Sequence, residues 1–217
     1  MYSHILIYHF NIAKLNFYRW RINCGYVQKL NFAIIMACFT GLGAQIRIYT
    51  PISPVPITGQ VFFVLLSAVL LGKWWGGISQ SIYVGIGLLG VPWFAPNPSM
   101  SIFSKGGVSI IYGSTIGYLI GFIIAAFIIG WFLDNSLKTK KKGIKIFGVI
   151  LLGILIIHLI GLICLFINIS ANLSTMQAIN AVITALILFI PLDLMKAVGV
   201  GAISYVILPR NVTHTQN

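Results

Sequence analysis

Acidic residues are almost absent from this sequence. Of its 217 residues only two are Asp or Glu, against 14 Lys and Arg, and charged residues make up 7% of the chain. A soluble domain carries roughly 25% charged residues, so these side chains could not cover a folded surface exposed to water. Hydrophobic residues make up 59% of the chain, and the mean hydropathy is +0.99. The composition therefore predicts a protein whose surface is covered by lipid.

Motifs for metal binding and catalysis are also lacking. The three cysteines form no C-x-x-C pair, which argues against a zinc site or a disulfide framework. His158 lies alone in an apolar run without a second ligand at i+4, so packing is a better interpretation than metal binding. There is no Gly-rich phosphate loop, no Ser-His-Asp order and no pair of carboxylates. We expect no metal, no cofactor and no enzymatic activity, and any ATP-driven transport would need a separate ATPase.

Long apolar runs are abundant. A helix needs about 20 mostly apolar residues to cross about 30 Å of hydrocarbon. Six candidate runs appear, of which the second and third are short: residues 30–48, 57–72, 76–89, 108–133, 146–170 and 176–208. The last run is longer than one span needs and is interrupted by Pro191, Asp193 and Lys196, and we expect Pro191 to kink its helix and free a carbonyl there. The predicted fold class is an all-α integral membrane protein with six transmembrane helices.

The basic residues are distributed unevenly between these runs. With the N-terminus inside the cell, the inner segments hold 11 of the 14 Lys and Arg residues, and the outer segments hold only Arg47 and Lys105. The positive-inside rule therefore predicts that the N-terminus, the Lys-rich segment 138–145 and the C-terminus are cytoplasmic. Topology and anionic lipid explain the net charge of +12 better than a nucleic-acid partner does.

The two ends of the chain differ from its middle. Residues 1–28 mix aromatic side chains with Lys14, Arg19 and Arg21, and they contain neither a continuous apolar core nor a cleavage-site pattern. We interpret them as an N-terminal extension, cytoplasmic or interfacial, or as a start codon assigned too early. Residues 29–210 form the predicted membrane domain, and residues 211–217 form a short cytoplasmic tail.

Two predicted outer loops are rich in proline. Residues 50–56 and 92–98 hold three prolines each, and proline makes such segments stiff and non-helical. They are either plain helix connections or rigid flaps over a cavity that opens outward. Their apolar and aromatic content favours the flaps.

Small residues recur every four positions in two spans. Such stripes let another helix backbone approach closely, either inside the chain or in another membrane subunit. The sequence leaves both interpretations open. The stripes are Ala33, Ala37 and Gly41 in the first span, and Gly113, Gly117, Gly121 and Ala125 in the fourth.

Asp193 and Lys196 are the most informative polar residues. Asp193 is the only acid inside a predicted span, and a carboxylate at mid-bilayer costs roughly 2.5–3.5 kcal/mol. The i, i+3 spacing places it on the same helix face as Lys196. The two residues either neutralise each other or face a polar cavity and contact a ligand.

Several segments resemble the BioY family, the biotin-specific S components of energy-coupling-factor transporters. The similarity runs in order from about residue 30 to residue 208. It is most specific in the PVPIT run and in the Asp-x-x-Lys pattern after a proline. The matching segments are PVPITGQ (54–60), LLG (70–72), Tyr83, GLLGVPWF (87–94), GYLIGF (117–122) and FIPLDLMKA (189–197).

This resemblance implies a function in biotin uptake across a prokaryotic cell membrane. Members of the family have six helices and bind biotin near the outer face under loops. They deliver it with a transmembrane T subunit and two ATP-binding cassette ATPases. Ala33, Ala37 and Gly41 match the pattern that meets the T subunit in related proteins. The alternatives are an S component for another vitamin, an autonomous secondary carrier, and a membrane-embedded enzyme or scaffold.

The resemblance also implies a set of ligand-binding residues. Asp193 would accept hydrogen bonds from the N–H groups of the biotin ureido ring, and Lys196 would meet the valerate carboxylate. Asn97 or Gln60 could donate and accept. The aromatic side chains expected around the apolar ring are Tyr83, Trp93 and Tyr118.

Overall fold

The computed structural model describes residues 2–51, 53–138 and 146–209, and this part of the chain is almost entirely helical. Five of its six α-helices, α2 to α6, are long and apolar enough to cross a membrane. The all-α prediction is thereby confirmed. The helices are α1 Tyr2–Asn23, α2 Tyr26–Gln45, α3 Gln60–Leu88, α4 Ile116–Lys138, α5 Ile146–Ser170 and α6 Thr175–Ile207.

Helix α3 reverses direction at Gly72 and consists of two antiparallel arms. Gly72 has φ +80° and ψ −169°, a combination that is essentially restricted to glycine. Gln60 Nε2 donates a hydrogen bond of 2.8 Å to Tyr83 Oη. In one straight helix these two residues would lie about 35 Å apart. The arms, residues 60–71 and 73–88, correspond to the second and third predicted spans.

A carboxylate holds the reversal in place. Asp134 of α4 accepts a hydrogen bond from the backbone N–H of Lys73, 3.0 Å from Oδ2, directly after Gly72. Its Oδ1 lies 2.6 Å from the Arg21 guanidinium of α1. One half-buried side chain thus joins α1, α3 and α4 at this end of the bundle.

Three other helix predictions have different outcomes. The fifth span coincides with α5, but the fourth begins only at Ile116, because Val108–Tyr112 forms a short 3-10 helix. The sixth span is one continuous helix, because α6 keeps helical backbone through Pro191, and the expected kink at Pro191 stays a prediction. Proline costs about 3 kcal/mol inside a helix, and packing of α6 on α5 and α3 outweighs this cost.

Both small-residue stripes pack inside the chain. A methyl group on Gly121 of α4 would lie 3.0 Å from the Ile157 Cα of α5, so these two helices touch backbone to backbone. In α2, Ala33 and Ala37 are 0% exposed, and a Cβ on Gly41 would meet Trp93 at 3.1 Å. The expectation that the α2 stripe offers a surface to another subunit is corrected here, because its face is already covered by this chain.

Helix α1 covers most of the N-terminal extension and is attached to the bundle. Tyr18 is buried, and Lys14 Nζ donates a 2.6 Å hydrogen bond to the Tyr205 carbonyl near the end of α6. The placement of residues 1–28 relative to lipid stays a prediction. The Lys-rich segment 139–145 and the tail 211–217 lie outside the described residues.

The two proline-rich loops pack together at the end of the bundle opposite Gly72. Strand β1, Arg47–Ile48, pairs antiparallel with β2, Ile57–Thr58. Gln45 Nε2 donates to the Trp93 carbonyl at 3.1 Å, and Gln45 Oε1 accepts from the Phe103 N–H at 2.9 Å. The Tyr49 hydroxyl donates to the Pro96 carbonyl. These bonds tie the loop after α2 to the loop after α3.

Candidate ligand-binding site

A cavity lies beneath the two loops and is bounded by α3, α4, α5 and α6. Its walls are mostly apolar, with a few polar groups that converge on one side. The loops therefore cover a cavity, as the flap interpretation predicts. The lining residues are Val55, Pro56, Ile57, Thr58, Gln60, Val61, Phe94, Ala95, Ile110, Thr115, Tyr118, Leu119, Phe122, His158, Phe189, Asp193 and Lys196.

Asp193 and Lys196 form a buried ion pair in the cavity wall. Lys196 Nζ lies 2.6 Å from Asp193 Oδ1 and donates a second bond of 2.7 Å to the Thr58 carbonyl. An ammonium has three donors, so one remains for a ligand. The predicted i, i+3 pair is confirmed, and Thr58 connects it to the loop that roofs the cavity.

His158 of α5 completes this cluster, although it was not predicted to belong to the site. Its Nε2 lies 3.3 Å from Asp193 Oδ2, and its Nδ1 lies 3.0 Å from the Ile154 carbonyl oxygen. The Asp193 contact is not aligned as a hydrogen bond, and Nε2 has no hydrogen-bond partner among the described residues. An ionisable residue inside a span often marks a functional site. His158 carries this signal in the sequence, and it could have been selected on that ground.

Tyr118 of α4 supplies an aromatic wall. Its ring stands edge-on to His158 and to Phe189, with centroid distances of 6.3 and 5.9 Å. A side chain on Gly161 of α5 would collide with this ring at 2.5 Å, so glycine there lets the ring lie against α5. The Tyr118 hydroxyl is buried without a hydrogen-bond partner in the described part of the chain, and it lies in the wall of the cavity.

Gln60 also lines the cavity, but Tyr83 and Trp93 stand behind it. Gln60 Oε1 accepts from Thr58 Oγ1 at 2.9 Å, and its amide donates to Tyr83 Oη. Trp93 Nε1 donates to the Tyr83 carbonyl at 2.9 Å. The expected direct contacts of Tyr83 and Trp93 with a ring are therefore corrected, because these residues support the wall. The wall itself is formed there by Phe94, which the sequence analysis had not selected.

Asn97 lies outside this cavity. It is exposed, its Oδ1 accepts a 2.9 Å bond from Lys105 Nζ, and both residues line a second cavity nearer the loop surface. Burial lowers the pKa of the Lys105 ammonium. The two cavities share Pro56 and Thr115, so the structure places Asn97 on the outer approach to the ion pair.

The arrangement suits a small ligand with an apolar body and a negative charge. Apolar side chains surround most of the cavity, whereas the spare Lys196 donor and the Tyr118 hydroxyl are available at its polar side. A charge-assisted hydrogen bond from an ammonium is well suited to a carboxylate. Among the described residues, no group of three or more His, Cys, Asp or Glu side chains could hold a metal ion.

Comparison with known proteins agrees with this arrangement. A model of the BioY family matches residues 13–211. A probable biotin transporter BioY of Methanothermobacter thermautotrophicus is 36% identical over 146 residues, which cover 67% of this chain and 88% of that protein. A probable biotin transporter BioY of Pyrococcus horikoshii is 36% identical over 170 residues, which cover 78% and 90%.

A solved structure shares the fold. The crystal structure of the S-component for biotin from an ECF-type ABC transporter aligns with a TM-score of 0.69 and 26% identity, over 82% of this chain and 89% of that chain. With helices long and apolar enough to cross a bilayer, the chain is a multi-pass protein of the prokaryotic plasma membrane. The family match over residues 13–211 and the two relatives at 36% identity show that the chain belongs to the BioY family.

Proposed function

We propose that this chain is the biotin-binding S component of an ATP-driven vitamin transporter. It captures biotin from outside the cell and delivers it through an energy-coupling module of a transmembrane T subunit and two ATP-binding cassette ATPases. The observation that carries the proposal is the buried Asp193–Lys196 pair in an apolar cavity under two loops. Relatives named biotin transporter and the solved S component for biotin support it.

The ligand pose follows from the chemistry of the walls. The Lys196 ammonium binds the valerate carboxylate, and Asp193 accepts from a ureido N–H. Tyr118 and Phe94 pack on the thiophane ring, and Gln60 lies within the same wall. Asn97 binds the ligand on its way in, beside Lys105.

The same proposal includes the topology. The chain crosses the membrane six times, once with each of α2, α4, α5 and α6 and twice with the two arms of α3. Both termini are cytoplasmic, which places the two loops and the cavity mouth outside. The excess of basic residues in the inner segments supports this orientation.

Labelling of single cysteines tests the orientation. In a cysteine-free background, Ser101→Cys in the outer loop is expected to react with an impermeant maleimide in intact cells. Thr139→Cys is expected to react only after the cells are opened, because its segment is cytoplasmic. The reverse pattern would overturn the topology. The native cysteines that must first be replaced are Cys24, Cys38 and Cys164.

Calorimetry with the purified protein tests the substrate. Biotin is expected to bind with one site, whereas thiamine and riboflavin are expected to give no saturable heat, since neither carries a carboxylate for Lys196. Biotin methyl ester, which keeps the bicyclic ring, is the matched control for the charge. Saturable binding of another vitamin without biotin binding would identify a different S component and contradict the proposal.

A further inference from the structure

The ligand cavity contains a histidine whose surroundings leave room for one additional proton. His158 is 5% exposed, and its Nδ1 faces the Ile154 carbonyl at 3.0 Å. A carbonyl only accepts hydrogen bonds, so its position assigns a hydrogen to Nδ1. The second nitrogen, Nε2, is then the one whose protonation can change.

Two opposing influences act on a proton at Nε2. Nε2 lies 3.3 Å from Asp193 Oδ2, and an ionised carboxylate is also only an acceptor. While the cavity is empty, burial of the ring and the Lys196 ammonium on the same carboxylate oppose a second positive charge. A proton on Nε2 turns the same contact into a charge-assisted one. The titratable groups that face this position are Asp193 and Lys196 of α6 and Tyr118 of α4.

The charge of the cluster depends on the ligand. Asp193 and Lys196 neutralise each other at 2.6 Å, so with a neutral His158 the cluster carries no net charge. A bound carboxylate adds one negative charge inside the membrane, where an uncompensated charge is costly. A proton on His158 restores neutrality without disturbing the ion pair.

We propose that His158 is a proton-binding site that takes up one proton when an anionic ligand enters the cavity. The proton comes from solvent and adds to the Nε2 lone pair, and no other bond forms or breaks. The inference rests on the proposed function, because biotin supplies the carboxylate. In this way His158 favours anionic ligands without itself contacting the ligand carboxylate.

Proton uptake can be measured directly. Calorimetric titration of the full-length protein with biotin, in buffers of different ionisation enthalpy at one pH, is expected to show about one proton taken up per biotin bound. By the same linkage, affinity is expected to fall up to about tenfold per pH unit over the range in which binding takes up the proton. Biotin amide, which carries no charge, is expected to take up far less.

Two histidine variants locate the proton. In His158→Gln the uptake and the pH dependence are expected to disappear while biotin still binds. In His9→Gln, which alters an exposed histidine of α1, both are expected to stay as in the wild type. Absence of biotin binding by the folded wild type would contradict the proposed function. Biotin binding without proton uptake between pH 6 and 9, or with uptake that persists in His158→Gln, would overturn this inference.

Discussion

Replacement of Lys196 by methionine is expected to weaken biotin binding by about ten- to hundred-fold, because a buried charge-assisted hydrogen bond contributes about 1.5–3 kcal/mol. Methionine keeps the length and apolar stem of lysine but removes the ammonium that bonds Asp193 and the Thr58 carbonyl. Biotin amide is expected to lose much less affinity, since it presents no carboxylate to the ammonium. Titration calorimetry of the purified variant with both ligands measures the difference.

Lys73→Met is the matched control for this substitution. Lys73 lies next to the reversal of α3, at the end of the bundle away from the cavity, and its side chain stacks over Trp74 at 4.5 Å. The biotin affinity of Lys73→Met is expected to equal that of the wild type.

A folded double variant, Asp193→Asn with Lys196→Met, separates the two interpretations of the pair. Near-native biotin affinity there would show that the two residues only neutralise each other.

Replacement of Gly72 by alanine is expected to destabilise the protein for two reasons, backbone strain and a close contact with a carboxylate. At φ +80° and ψ −169°, a residue with a Cβ costs about 1–3 kcal/mol. The new methyl group would also lie 2.6 Å from Asp134 Oδ2, against the carboxylate that binds the reversal. The midpoint of thermal unfolding in detergent is expected to fall by about 2–12 °C.

Gly85→Ala provides the comparison within the same helix. A Cβ at Gly85 has no atom within 4 Å, and alanine is favoured over glycine inside a helix by about 1 kcal/mol. This variant is expected to be as stable as the wild type or slightly more so. If Gly72→Ala proves equally stable, α3 does not reverse at that glycine. The fraction of Gly72→Ala that folds is expected to keep its biotin affinity, because the cavity is at the other end of the bundle.

Local patterns in the sequence were enough to predict the helices and the ion pair. Hydropathy located the spans because lipid imposes a minimum apolar length, and α5 begins and ends where its apolar run does. The i, i+3 spacing paired Asp193 with Lys196 because one helical turn brings these positions together. No local pattern showed that the last apolar run forms one continuous helix through Pro191, because packing by neighbouring helices lies outside any local pattern.

The small-residue stripe of α2 shows the same limit. A four-residue spacing predicts close approach by another backbone, but it carries no information about which chain supplies that backbone. The structure covers Ala33 and Ala37 with the chain itself. The family resemblance implied a surface for the T subunit, whereas in the structure this face is covered by the chain itself.

The class of protein, the six apolar runs, the segments that resemble BioY and the two charged residues of α6 could all be recognised from the amino-acid sequence. Which residues share the cavity became known from the folded structure. It brings His158 within 3.3 Å of Asp193, 35 positions later, and it places Tyr83 and Trp93 behind Gln60 and Asn97 in an outer cavity. A helical periodicity shows which side of a helix is buried. Which helix covers that side depends on how α4, α5, α6 and the folded-back α3 pack together.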